Sequence, residues 1–119
     1  RDLLLEFSSD ERMHAENFMN AYRRITGRNY TPPRIEPPEV PPYDEALKQR
    51  IIAETNDYKK YGEWYLRIPD PYLRMLFFET RTDEARHAMR IPILMEEEME
   101  NHSNHYMPVN NQPLSSIIR

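Results

Sequence analysis

One six-residue pattern occurs twice in this chain, as Asp10-Glu11-Arg12-Met13-His14-Ala15 and as Asp83-Glu84-Ala85-Arg86-His87-Ala88. Both copies read Asp-Glu-x-x-His-Ala, and the three-residue separation puts the carboxylate and the imidazole on one face of a helix. Only four His occur in 119 residues, and two of them fall at the same place in matching contexts. Chance is a poor explanation for that. Any fold must therefore contain two helices that each carry an acid and an imidazole one turn apart, and must place those groups where they are tolerated.

The surrounding residues say where that is. From Asp2 to about Thr26, the residues Leu4, Phe7, Glu11, His14, Phe18, Ala21 and Ile25 recur in alternating steps of 3 and 4, the inward-facing seam of a bundled helix. Gly27 is a natural stop. A second helix is expected from about Tyr43 to Ile68, with Asp44 and Glu45 in its first turn and a seam of Leu47, Ile51, Glu54, Tyr58, Tyr61, Tyr65 and Ile68. Asp57 follows Glu54 by three residues and can reach the same side. The tyrosine hydroxyls of Tyr58 and Tyr61 can serve carboxylates, although such rings are more often plain core. A third helix is expected with Asp70 as N-cap and Pro71 at its first position. Its seam is Leu73, Phe77, Thr80, Glu84, His87, Ile91 and Leu94, and Pro92 is expected to bend or locally unravel it.

Between the first two helices, residues 30 to 43 hold Pro32, Pro33, Pro37, Pro38, Pro41 and Pro42. Helix and central strand are both excluded there. The segment reads as an extended crossover, with a ligand for a proline-reading domain as the less favoured alternative. Residues 1–101 form the helical domain, and residues 102–119 read as a polar tail in which His102 and His105 are a weak metal pair at best. Leu114, Ile117 and Ile118 could dock on a partner.

Composition removes most other chemistries. The absence of Cys excludes disulfides, thiolate ligands and a cysteine nucleophile. Gly27 and Gly62 are the only glycines, too few for a phosphate-cradling loop or a dinucleotide fingerprint. A formal net charge of −4 without a basic cluster argues against nucleic acid. No apolar run approaches the roughly 18 residues of a membrane span, and the expectation is a soluble, cytoplasmic protein.

Three helices thus bring acid to the middle of an otherwise apolar seam. Burying ionised carboxylates without compensation costs several kcal/mol each. A buried Glu-His hydrogen bond would serve equally well for one copy of the motif taken alone. One arrangement serves all of them: if the helices pack together, Glu11, His14, Glu54, Glu84 and His87 converge, and two divalent cations neutralise them. Oxygen-rich ligation with one imidazole per metal suits iron or manganese, with zinc a feasible substitute. A metal-free helical interaction protein would leave five buried ionisable residues unexplained.

At these residues the chain resembles the ferritin-like di-iron carboxylate superfamily, and within it the rubrerythrin-like branch, over roughly residues 2 to 100. Such sites take one Glu from each of two helices and Glu-x-x-His from each of two others. Glu11/His14 and Glu84/His87 match the paired motifs, and Ala53-Glu54-Thr55-Asn56-Asp57-Tyr58 is similar to the family's Glu-x-x-Glu-Tyr, with Asp57 one methylene shorter. The resemblance implies an all-α four-helix bundle with a long Pro-rich crossover, three of whose helices are present here. It implies metal ligation by Glu11, His14, Glu54, Glu84 and His87, with Asp57 a further candidate. Asp10 and Asp83 would hold the ligating histidines through their other ring nitrogen, and Tyr58 and Tyr61 would stand behind the ligands. The implied function is oxidation of ferrous iron, or reduction of peroxide or dioxygen, by a di-iron oxidoreductase of peroxidase or ferroxidase type. The alternative is a metal-stabilised scaffold without catalysis. The chain enters directly at a helix start, so the missing helix is expected from upstream sequence or from a second copy in a homo-oligomer, covering an open face at Leu4, Phe18, Phe77 and Leu94. With no cysteine-rich electron-transfer module in the chain, the reductant would be a separate protein.

Overall fold

The computed structural model describes residues 2–106. They form three helices and no strand: α1 (Asp2–Thr26), α2 (Tyr43–Arg67) and α3 (Pro71–Tyr106). Each boundary has a local cause. At the end of α1, Gly27 takes φ 70° and its N–H donates to the Arg23 carbonyl at 2.8 Å, a left-handed stop that a side chain would disfavour. α2 ends where Ile68 turns extended ahead of Pro69. At the start of α3, the Asp70 carboxylate accepts the Leu73 N–H at 2.9 Å, with Pro71 at the first helical position. Among the described residues no helix is long and apolar enough to cross a membrane.

Contacts between the elements fix their directions. Asp10 meets His87 and His14 meets Asp83, while Phe18 lies against Phe77; as one residue number rises the other falls, so α1 and α3 are antiparallel. Gly62 beside Arg81 and Tyr65 beside Phe78 show the same for α2 and α3. Glu11 meets Arg50 and Phe18 stacks on Tyr61, so α1 and α2 run parallel. Two consecutive helices can be parallel only if the connection returns along their full length. Residues 27–42 do this without regular structure: at about 3.1 Å per residue they span about 50 Å, more than the roughly 37 Å of a 25-residue helix. The Pro-rich crossover is therefore a geometric requirement.

α2 packs closely along α3, and α1 leans on α3 more sparsely. The apolar core lies at one end, where Leu47, Ile91 and Leu94 are buried and Leu3, Phe7, Ile51 and Met95 pack around them. Toward the other end a stack of aromatic rings, Phe18, Tyr61, Phe77 and Trp64, joins the three helices. The acids and imidazoles sit between these two apolar regions.

Several expectations need correction. Leu4 and Ile25, at the ends of the α1 seam, are exposed. A strict 3-4 repeat drifts about 20° per heptad against a straight helix, and Leu3 takes the inward place of Leu4. Of the four residues expected along an open face, only Leu4 is exposed; Leu94 is buried and Phe18 and Phe77 are half-buried. α3 stays helical through Pro92, so the helix does not unravel there. The helix also continues beyond Asn101 to Tyr106, and the His102 ring meets Glu98 at 2.9 Å. Leu114, Ile117 and Ile118 lie outside the described residues.

Candidate metal centre

α1 and α3 run antiparallel, so their identical motifs face each other in opposite directions and pair crosswise. His14 Nε2 lies 2.8 Å from Asp83 Oδ2, and His87 Nε2 lies 2.8 Å from Asp10 Oδ2. An ionised carboxylate only accepts, so each Nε2 carries the hydrogen and donates it. In the neutral ring the lone pair is then left on Nδ1, and both Nδ1 atoms point inward.

What they face is a knot of carboxylates. His14 Nδ1 is 3.3 Å from Glu84 Oε1 and 3.8 Å from Glu11 Oε2. His87 Nδ1 is 3.5 Å from Glu11 Oε1 and 3.7 Å from Glu54 Oε1. The two oxygens of Glu11 are thus divided, one toward each histidine. Ligand atoms of Glu11, Glu54, Glu84 and His87 all lie within 4.8 Å of one another. From the solvent side, Arg50 Nη2 comes within 3.1 Å of Glu11 Oε1 and 2.6 Å of Glu54 Oε1.

The residues fit a cation. His14, Glu54, Glu84 and His87 are buried, yet His14 Nδ1, His87 Nδ1, Glu54 Oε2 and Glu84 Oε2 have no hydrogen-bond partner. Buried polar atoms are rarely left so. Two ligands bound to one cation at about 2.1 Å stand about 3.0 Å apart at octahedral angles and about 3.4 Å at tetrahedral ones. The nitrogen-oxygen separations here are of that size or slightly looser. The group could hold a metal ion.

Without a cation the site balances its charges with protons. Burial raises the Glu84 carboxyl, and the neighbouring Glu54 and Glu11 add to it, to about 7. Glu11 moves the other way: His14, His87 and Arg50 hold it well below the usual carboxylate range, against its partial burial. Burial would lower His14, but Glu11, Glu84 and Asp83 outweigh it and push it up to about 10. His87 goes up to about 10 in the same way, with Glu11, Glu54 and Asp10 outweighing burial. Protons do in the metal-free protein what a cation would do more fully.

The other expected residues lie apart. Asp57, half-buried, pairs through Oδ1 with Lys60 at 3.1 Å. Tyr58 is exposed, with the Arg81 guanidinium 4.1 Å from its ring centre. Tyr61 is half-buried in the aromatic stack. Among the described residues neither tyrosine hydroxyl bonds a site carboxylate. Arg50 escaped the sequence reading altogether, although its i, i+4 spacing to Glu54 was a usable signal. Phe7, whose ring centre is 4.5 Å from that of His87, was visible only as a seam residue. No family model, curated protein or solved structure matches the chain.

Proposed function

We infer that this chain builds a two-cation carboxylate centre of the ferritin-like, rubrerythrin-like kind, with iron the metal that best suits its ligands, and that the centre oxidises ferrous iron or reduces peroxide or dioxygen. The observation that carries the reading is the divided carboxylate of Glu11. Each half of the cluster has one imidazole nitrogen, one Glu11 oxygen and one further carboxylate: His14 with Glu84, and His87 with Glu54. One bridging acid between two equivalent half-sites is the arrangement that two neighbouring cations require.

Glu11, His14, Glu54, Glu84 and His87 would hold the metals, and iron bound there in its ferrous state would supply reducing electrons. The chain supplies the rest. Asp10 and Asp83 hold the Nε2 hydrogens and so fix which nitrogen of each ring is basic. Glu54 and Glu84, closed off from water, keep the inner side of the site dry. In the metal-free protein burial and the neighbouring Glu54 push Glu84 up to about 7, and a bound cation would displace the proton it then holds. Glu11 and Arg50, each partly exposed, lie on the open side of the site. A fourth helix, from upstream sequence or a second copy of the chain, would complete the bundle there, and a separate protein would deliver electrons.

Metal analysis of protein purified without added metals, followed by mixing of ferrous-loaded protein with aerobic buffer in a stopped-flow spectrometer, tests the reading. Two metals per site and a transient charge-transfer band are expected. Tight binding with no optical change would replace it with a metal-stabilised scaffold, and failure to bind metal would remove it.

A further inference from the structure

We propose that Arg50 is the resident counter-cation of the metal-free centre, a tethered competitor that holds the Glu11 and Glu54 carboxylates in ligating positions and swings out when metal enters. This rests on the reading of the cluster as a cation centre.

The argument is about shared oxygens. Arg50 Nη2 approaches Glu11 Oε1 and Glu54 Oε1, and those two atoms are also the ones that face His87 Nδ1. A cation bound by His87, Glu11 and Glu54 needs the same lone pairs. It would stand within a few ångströms of a guanidinium that cannot lose its charge, so the two positive groups exclude each other. Arg50 is built to yield. Its side chain is 48% exposed whereas that of Glu54 is 2% exposed, and its long stem can rotate into solvent without opening the packed interior.

Its presence answers a problem that metal leaves behind. Glu54 is closed off beside Glu84 and Glu11. Arg50, four residues earlier on α2, is the permanently charged group that reaches it, at 2.6 Å, closer than the 3.7 Å of His87 Nδ1, whose ring is held from behind by Asp10. The metal-free fold therefore keeps its carboxylates preorganised, at the cost of a weaker apparent metal affinity.

The test uses the full chain with Co(II), whose visible spectrum reports ligation, and compares wild type, Arg50→Gln and Arg50→Lys. Arg50→Gln should bind Co(II) about tenfold more tightly, with Arg50→Lys between it and wild type. Metal-free Arg50→Gln should melt several degrees below wild type, while the two Co(II)-loaded proteins melt together. Should metal-free Arg50→Gln fail to fold, the Arg50→Lys affinity decides the matter. Equal affinities in all foldable variants, weaker binding without the arginine, or equal loss of stability with and without Co(II) would overturn the role of Arg50 and leave the cation centre standing. Wild type that binds no Co(II) would overturn the centre itself.

Discussion

The two Asp-Glu-x-x-His-Ala stretches carry one chemistry into two surroundings. Their histidines are equivalent: each is buried, each bonds an aspartate of the opposite helix at 2.8 Å, and each is pushed up to about 10. Their glutamates are not. The Glu84 side chain is 3% exposed and that of Glu11 39%; α3 packs closely along α2, while α1 leans on α3 more sparsely. The buried carboxyl on α3 is driven toward its neutral form, and the one at the rim is held as an anion by His14, His87 and Arg50. A local motif sets which atoms point together; burial sets their charge.

The largest expected effect follows from this asymmetry. Glu84→Ala should lower metal affinity by 100-fold or more, as measured by calorimetric titration. Glu11→Ala should cost about tenfold, since solvent can replace a rim ligand. Equal losses would show that the bridging position counts for more than burial.

A smaller and symmetric effect is expected behind the rings. Asp10→Asn and Asp83→Asn should each weaken metal binding about 10- to 100-fold, because an amide can satisfy Nε2 while holding the wrong tautomer. A large difference between the two variants would show that one histidine dominates and would break the equivalence of the half-sites.

Next comes pH. In metal-free protein, Glu84 rises from 4.5 to about 7, so its contribution is whole below pH 4.5 and is lost as pH climbs through 7. His14 and His87 rise from 6.5 to about 10, and their contribution disappears between those values. Glu11 is lowered, so its share is lost only on acidification below 4.5. The melting temperature should thus fall in two stages from pH 4.5 to 10. Glu84→Gln should abolish the first stage, a change of about 5 °C, and leave the second. A variant that melts in parallel with wild type across pH 4.5 to 7 would contradict the assignment.

The smallest effect belongs to Phe7, whose ring lies tilted against that of His87 and joins the apolar cluster. Phe7→Leu should cost about 1 kcal/mol of stability in denaturant unfolding and change metal affinity less than threefold. A larger metal effect would mean that the ring, as well as Asp10, positions His87.

By itself the sequence determined whatever depends on neighbours along the chain. The helix spans, the Asp70 cap, the Gly27 stop and the one-turn spacing of Glu11 with His14 and Glu84 with His87 are local matters of periodicity and hydrogen bonding. The same periodicity placed Glu54 on the inward seam of α2, and the prolines between residues 30 and 43 marked an extended crossover. It also misjudged residues: a seam says which face a side chain shares, and a helix rotated by a few tens of degrees turns Leu4, Ile25 and Tyr58 outward and leaves Asp57 with Lys60. Only the tertiary structure decided that Asp10 would serve His87 rather than its own motif's histidine, that Glu11 would divide its oxygens, and that Arg50 would reach the cluster. The contacts of Arg50 with Glu11 and of Asp10 with His87 join residues 39 and 77 positions apart. They depend on the relative rotation and direction of packed helices, which no local period encodes.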